Sequence, residues 1–206
     1  MAQYHPPSRS DQRTRLRERR RLITAERQDQ AANAVATPLL QRARAQHWQT
    51  VLAYAAHAGE LDPAPLVTGL WALGTTVGFP RVEGEELSFR EVRPDSAFVP
   101  GVFGIPTPAA DSPVVAASAA DVIVVPLVGF DDQGGRLGMG GGYYDRLLAS
   151  YPGPRRIGVA HDCQRVSRLL IESWDQRLDE VVTPTMRLVA PDRVAPDAPI
   201  DPTDRP

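Results

Sequence analysis

The chain contains no lysine, and all 23 of its basic side chains are arginine. This absence excludes a P-loop lysine, a Schiff base and a lysine nucleophile. There is one cysteine, Cys163, so an internal disulfide cannot form, and no Cys/His cluster has the spacing of zinc ligands. We therefore expect a reducing compartment and a cytoplasmic protein.

Long apolar runs are also scarce. The longest, residues 114–130, is interrupted by Asp121 and Pro126, and residues 1–10 lack the apolar centre of a signal peptide. The net charge of −2 gives no general attraction to nucleic acid or to an anionic membrane. We expect neither as a partner.

The length and composition suit one globular core. With 206 residues, of which 42% are apolar, the chain can bury one sizeable α/β core. We expect a flexible segment over residues 1–10 and a single α/β domain over residues 11–190. Residues 191–206 hold five prolines and four aspartates, a composition typical of a disordered tail.

Helical and strand-like segments alternate along the chain. Ser10 or Asp11 is expected to cap a first helix, and Thr24 a second in which Pro38 causes a kink or a split. Asp62 and the proline after it form a third helix start. This alternation predicts a mainly parallel sheet with helices on both faces, a three-layer α/β fold. Strands are predicted at residues 50–55, 76–79, 87–92, 122–125, 157–160, 181–182 and 186–189.

A glycine-rich segment follows the most apolar predicted strand. The β-branched run at residues 121–126 indicates an inner strand, and Tyr144, Leu147 and Leu148 recur at helical spacing after the glycines. Backbone N–H groups at such a crossing favour an anion. The alternative is a turn that only reverses the chain, since Tyr143 stands where a dinucleotide fingerprint needs glycine.

The longer string carries a more specific resemblance. Residues 126–131 read PLVGFD, Gly134 and Gly135 follow, and residues 136–146 read RLGMGGGYYDR. This combination resembles the signature of the 5-formyltetrahydrofolate cyclo-ligase family. Supporting segments are the arginine-rich first helix and residues 54–60, 78–81, 103–105 and 175–183, so that the resemblance covers about residues 12 to 187.

The resemblance implies an enzyme, a ligase that forms a C–N bond. It would convert 5-formyltetrahydrofolate and ATP into 5,10-methenyltetrahydrofolate, ADP and phosphate through a phosphorylated formyl intermediate, with Mg²⁺ as cofactor. Catalytic roles fall on Arg136 and Tyr144. The implied ATP-binding residues are Arg13, Arg17, Arg136, Leu137, Gly138, Met139, Gly140, Gly141, Gly142, Tyr143 and Tyr144. The implied substrate-binding residues are Ala55, Glu60, Met139, Gly140, Gly141, Gly142 and Tyr143, and the implied metal ligands are Asp145 and Asp175.

The residues themselves support some of these roles and leave alternatives open. Arg13 and Arg17 lie four apart on one helical face and could converge on a polyphosphate, although a solvated face would look the same. The family pattern has lysine where Arg13 stands. Glu60 could accept both donors of a pterin edge, or be a solvated loop residue. Asp145, in the first turn of its helix, could bind magnesium or serve only the helix terminus.

Two departures from the family pattern affect the predicted pocket. Thr107 occupies a position that is commonly acidic or amide, and Met139 replaces a frequent aromatic or basic residue. Of the four histidines only His161 is expected near the cleft, in a supporting role.

We expect a monomer whose partners are ATP and 5-formyltetrahydrofolate, free or polyglutamylated. Two alternatives come from other classes: a non-catalytic relative that binds folate or nucleotide, and an RNA-binding protein that uses the arginine-rich helix. An enzyme would turn over both substrates, and a non-catalytic relative would bind them without turnover. An RNA-binding protein would show an affinity for nucleic acid that falls steeply as the salt concentration rises.

Overall fold

The computed structural model describes residues 8–191, which form four α-helices and eleven strands. The helices are α1 (Arg9–Arg21), α2 (Ala25–Gln46), α3 (Ala64–Ala72) and α4 (Tyr143–Ser150). The strands are β1 (Thr50–Leu52), β2 (Thr76–Glu83), β3 (Glu86–Glu91), β4 (Phe98–Pro100), β5 (Pro106–Pro108), β6 (Val122–Val125), β7 (Gly129–Phe130), β8 (Arg136–Leu137), β9 (Arg155–Val159), β10 (Glu180–Val182) and β11 (Arg187–Val189).

Seven strands form the central sheet, in the order β11-β10-β9-β6-β1-β2-β3. The five inner strands pair in parallel, and the two edge strands, β11 and β3, pair antiparallel. Two small ribbons, β4–β5 and β7–β8, complete the strand pairing. The predicted mainly parallel sheet is confirmed.

Strand β6 shows why the fold has three layers. Val122 and Val124 pack on one face with α2 and α3, whereas Ile123 and Val125 pack on the other face with α4. Since successive side chains of a strand point to opposite faces, a strand covered on both sides must be apolar throughout. The three-layer prediction is therefore confirmed.

Helix α1 begins earlier than the sequence analysis expects. Ser8, not Ser10 or Asp11, is the N-cap: its side chain accepts a bond from the Asp11 N–H, and the Asp11 carboxylate accepts from the Ser8 N–H at 2.9 Å. This reciprocal capping box places residues 9 and 10 in the helix rather than in a flexible segment. Residues 1–7 and 192–206, which carry the rest of the terminal predictions, lie outside the described residues.

Of the other two predicted helix starts, that of α2 is found, whereas α3 begins one residue later than predicted, with Pro63 rather than Asp62 as its N-cap. Thr24 caps α2 by accepting a bond from the Arg27 N–H, and Asp62 accepts one from the Ala64 N–H at 2.9 Å. Pro38 lies inside α2, which continues past it to Gln46, so the helix is not split. None of the helices described is long and apolar enough to cross a membrane.

Candidate active site

A cleft of about 960 Å³ opens beyond the carboxyl ends of β1, β2 and β6. Parallel α/β sheets bind ligands at this edge because the connecting loops converge there. Its walls come from α1, the loop after β1, the β4–β5 ribbon, the glycine loop (residues 138–142) and residues 172–175. All but one of the predicted site residues line it: Arg13, Arg17, Ala55, Glu60, Arg136, Gly138, Met139, Gly140, Gly141, Gly142, Tyr143, Tyr144, Asp145 and Asp175.

Leu137 is the exception. Its side chain is 1% exposed and packs in a small core with Leu16, Val128 and Leu169. Its carbonyl oxygen accepts a bond from the Val128 N–H at 2.7 Å. The expectation that Leu137 contributes to the nucleotide site is therefore corrected, because β8 turns this side chain into the core.

The glycine loop leads into α4 through two left-handed residues. Gly140 has a φ of 111° and Gly142, the N-cap of α4, has a φ of 70°, conformations that favour glycine. Arg13 donates to the Gly138 carbonyl at 2.9 Å and Arg146 to the Gly141 carbonyl at 3.2 Å. Because no side chain caps α4, its first N–H groups are available to an anion.

Four arginines form a stripe along one face of α1: Arg9, Arg13, Arg17 and Arg20. Each is three or four residues from the next, so helical geometry aligns them. Arg9 binds Asp175, Arg13 binds the glycine loop, and Arg20 donates to the Ala58 carbonyl at 2.8 Å. Within residues 8–191, Arg17 lines the cleft without a hydrogen bond of its own. Arg17 is therefore the member of this α1 arginine stripe best placed to meet a new anion.

Arg136 and Asp145 form an ion pair beside the glycine loop. Arg136 Nη2 lies 2.6 Å from Asp145 Oδ1, and the Arg136 guanidinium lies 5.9 Å from the centre of the Tyr144 ring. The Gln176 N–H also donates to Asp145 Oδ1, at 3.2 Å. The pair brings together one predicted phosphate ligand and one predicted metal ligand.

The two predicted metal ligands differ in their availability. Both oxygens of Asp175 accept bonds from Arg9, at 2.5 and 3.0 Å, and Oδ2 also accepts the Glu172 N–H at 2.8 Å. The bonds to Asp145 all fall on Oδ1, which leaves Oδ2 for another ligand. Among residues 8–191 no group of three or more His, Cys, Asp or Glu side chains is arranged to hold a metal ion. As folded, Asp145 fits the hard-oxygen donor set of magnesium, and Asp175 does so only if its bond with Arg9 opens.

Glu60 is buried rather than solvated. The residue is 7% exposed, and Oε2 accepts the His57 N–H at 3.1 Å. Burial raises the pKa of the Glu60 carboxyl, against the opposing effects of the His57 N–H and the Arg20 and Arg17 cations. The alternative of a solvated loop residue is therefore wrong. A buried carboxylate on a cleft wall is a strong acceptor for paired donors of a ligand.

Two tyrosines flank this corner of the cleft. The Tyr54 hydroxyl donates to the Leu61 carbonyl at 2.5 Å. The Tyr144 hydroxyl is buried and has no hydrogen-bond partner among the described residues. Burial raises the pKa of Tyr144, an effect to which the Glu60 charge adds. The phenol therefore stays protonated at neutral pH and can donate to a ligand.

Two exposed aromatic side chains of the cleft were missed by sequence reasoning. The β4–β5 ribbon carries Phe103 at its tip, 70% exposed and with a φ of 60°, while Trp174 stands 65% exposed in the loop of residues 172–175. Thr107, one of the two departures, donates its hydroxyl to the Pro80 carbonyl at 2.9 Å. Met139, the other, is 45% exposed on the cleft wall. Exposed apolar side chains at a cleft are a usual mark of ligand binding.

The chain is similar to known proteins along most of its length. The model of the 5-formyltetrahydrofolate cyclo-ligase family matches residues 6–184. A 5-formyltetrahydrofolate cyclo-ligase of Escherichia coli (strain K12) is 38% identical over 176 residues, which cover 82% of this chain and 97% of that protein. The protein of the same name from Haemophilus influenzae is 32% identical over 176 residues, which cover 82% of this chain and 94% of that protein.

A solved structure extends the similarity to the backbone. The NMR structure of the 5,10-methenyltetrahydrofolate synthetase of Aquifex aeolicus has a TM-score of 0.78 and 31% identity. The match covers 92% of this chain and 96% of that one. The chain therefore belongs to the 5-formyltetrahydrofolate cyclo-ligase family of enzymes.

Proposed function

We propose that this protein uses ATP to cyclise 5-formyltetrahydrofolate to 5,10-methenyltetrahydrofolate, with release of ADP and phosphate. The observation that carries the proposal is the single cleft that joins the α1 arginine stripe, the glycine loop and the buried carboxylate of Glu60. Cations and uncapped helix N–H groups suit a triphosphate, and Glu60 suits the paired donors of a pterin edge.

The reaction proceeds through a phosphorylated formyl group. The formyl oxygen attacks the γ-phosphorus of ATP, ADP leaves, and the formyl carbon becomes bound to a good leaving group. Nitrogen 10 then attacks that carbon and loses its proton to solvent, and phosphate departs with the former formyl oxygen. Phosphoryl transfer of this kind needs positioning and charge neutralisation rather than a protein nucleophile.

The predicted residues that line the cleft divide the tasks of this scheme. Arg17 and Arg136 hold phosphate oxygens, together with the N–H groups of the glycine loop and, once it exchanges its carbonyl partner, Arg13. Glu60 orients the pterin. Tyr144, whose buried hydroxyl lacks a partner in the described structure, donates a hydrogen bond to the reacting group. Ala55 and Tyr143, both half-buried on the cleft wall, line the space proposed for a flat ring.

Magnesium is the expected cofactor. Bound to the triphosphate, it would neutralise charge on the β- and γ-phosphate oxygens. Asp145 would hold it through Oδ2 while its other oxygen remains paired with Arg136. Asp175 would join only after exchanging Arg9 for the metal.

We further propose a cytoplasmic monomer that accepts free or polyglutamylated 5-formyltetrahydrofolate and does not act on nucleic acid. A lone cysteine in the chain supports the reducing compartment.

The test is absorbance-monitored conversion of 5-formyltetrahydrofolate with and without ATP and Mg²⁺. Formation of the methenyl product only when ATP is present supports the proposal. Binding of both ligands without turnover would instead identify a non-catalytic relative. Salt-steep affinity for RNA without folate binding would identify an RNA-binding protein.

A further inference from the structure

Arg20, the last member of the α1 arginine stripe, is almost completely buried. It is 2% exposed, and its Nη2 donates to the Ala58 carbonyl at 2.8 Å. Its Nε and Nη1 are buried and have no hydrogen-bond partner among the described residues. Burying a guanidinium without an ion-pair partner costs free energy of folding. One hydrogen bond to a carbonyl does not offset that cost, so stability alone does not explain why Arg20 is buried.

The carbonyl that Arg20 holds belongs to a tight left-handed turn. Ala58 has a φ of 49° and Gly59 a φ of 77°, and for alanine this conformation is strained. The turn leads directly to Glu60, whose N–H donates to the His57 carbonyl at 3.1 Å. Glu60 Oε2 accepts the His57 N–H at the same distance. The turn therefore sets the direction of the Glu60 carboxylate.

The charged and titratable groups around Glu60 come from three directions. Arg17 and Arg20 face it from α1, and the hydroxyls of Tyr54 and Tyr144 interact with its charge from the loop after β1 and from α4. The Arg20 charge also acts on the buried His161, whose pKa is lowered by burial and by Arg20. Arg20 is thus a cation that acts on Glu60 without forming an ion pair with it.

We propose that Arg20 is a positioning residue that fixes Glu60 for the pterin edge through the turn of residues 57–60, without touching either substrate. The inference rests on the proposed role of Glu60. It extends the α1 arginine stripe from the nucleotide end of the cleft to the folate end. Through the buried Arg20, α1 contacts the folate-binding region as well as the nucleotide-binding region.

The test compares Arg20→Met and Arg20→Lys with Arg21→Met, an exposed arginine of the same helix. Arg20→Met should raise the KM for 5-formyltetrahydrofolate by roughly 10- to 100-fold, because small displacements of a positioning group have effects of this size. The KM for ATP should change by less than about threefold, and Arg20→Lys should fall between Arg20→Met and the wild type. The pH below which folate affinity falls should move upward in Arg20→Met, since the cation no longer favours the Glu60 carboxylate.

The decisive measurement is the same substitution in a Glu60→Gln background. If Arg20 acts through Glu60, Arg20→Met should then add little further loss of folate affinity. An equal loss in both backgrounds would overturn the inference, as would equal effects on the KM values of ATP and folate. Should Arg20→Met fail to fold by circular dichroism, the cycle is run with Arg20→Lys and judged in the same way. Failure of the proposed function gives a different result: Glu60→Gln alone leaves folate binding unchanged.

Discussion

Arg136 Nη2 lies 2.6 Å from Asp145 Oδ1 in a pair whose side chains are only 3% and 18% exposed. The same distance separates Arg165 Nη2 from Asp132 Oδ2, where both side chains are more than two-fifths exposed. The chain therefore contains two arginine–aspartate pairs of equal length in different dielectric surroundings. Because charges interact more strongly where water is excluded, they should respond differently to the same substitution.

The first prediction uses this contrast. Asp145→Asn leaves the buried Arg136 guanidinium without its anion, and we expect a loss of about 2–3 kcal/mol in the free energy of unfolding. The KM for Mg·ATP should rise as well. Asp132→Asn is the matched control and should leave both quantities nearly unchanged. Equal destabilisation by the two substitutions, measured by urea unfolding, would contradict the assignment of a special environment to Asp145.

The second prediction concerns Arg17. In Arg17→Ala the loss of a charge-assisted phosphate contact should weaken ATP binding by about 1.5–3 kcal/mol. Folate binding should weaken far less than ATP binding, and the thermal midpoint should change little, since the Arg17 side chain forms no hydrogen bond within the described chain. Calorimetric titration of both ligands checks this, with Arg21→Ala as the control. Equal loss of both affinities would argue against a phosphate role.

The third prediction separates binding from stability at Glu60. Glu60→Gln should raise the folate KM, spare the ATP KM and increase the melting temperature at about pH 7.5. Burial raises the pKa of Glu60, so its ionised form destabilises the folded state. This penalty is absent below about pH 4, where the carboxyl is protonated in both states, and appears as pH rises toward the folded pKa.

The measurement for Glu60 is a series of thermal melts across pH for both proteins. The difference in Tm should be small at the acid end and grow toward neutral pH. A variant less stable than the wild type at neutral pH would show that the carboxylate makes a net favourable contact.

The fourth prediction concerns the glycine loop. Gly142→Ala places a side chain at a φ of 70°, which should cost about 1 kcal/mol and abolish most turnover. Gly74→Ala is the control, because Gly74 has a φ of 80° in open space after α3 and does not line the cleft. It should lose similar stability and keep its activity. Equal loss of activity in both variants would refute a special role for the loop.

Gly141 should behave differently from its neighbour. Its φ is not in the left-handed region, and the residue is exposed. A Cβ there would lie 2.9 Å from two carbons of the Tyr143 ring, which is half-buried and can shift. Gly141→Lys should therefore fold and retain activity. Kinetics in the opposite order, with Gly142→Ala active and Gly141→Lys inactive, would reject the loop as the nucleotide site.

The central sheet and its crossing into α4 could be predicted from the sequence, because both depend on patterns among neighbouring residues. Four consecutive apolar residues in β6 require cover on both faces, and the glycines after β8 mark a strand-to-helix crossing. The start of α1 could also have been predicted, since Ser8 and Asp11 have capping-box spacing, but the cap was assigned two or three residues too late, at Ser10 or Asp11. Without that start, Arg9 was not recognised as part of the site.

The features of the site that could not be predicted depend on contacts between residues far apart in the sequence. Arg9 and Asp175 are 166 residues apart, so their ion pair, which decides whether Asp175 is available to a metal, leaves no local pattern. Glu60 is buried only because α1 and neighbouring loops cover it. Leu137 belongs to the conspicuous glycine string, yet β8 directs it into the core.

The α1 arginine stripe sets a distance between two parts of the cleft, in addition to placing positive charge along it. Eleven residues separate Arg9 from Arg20, which corresponds to about 16 Å along a helix axis. One end of α1 binds the loop of Asp175, and the other end binds the turn before Glu60. Helix α1 therefore holds these two parts of the cleft at a fixed distance from each other. A single inserted residue in α1 would turn one end by about 100° relative to the other. In the proposed function, the distance between the two substrate-binding regions therefore depends on the length and register of α1.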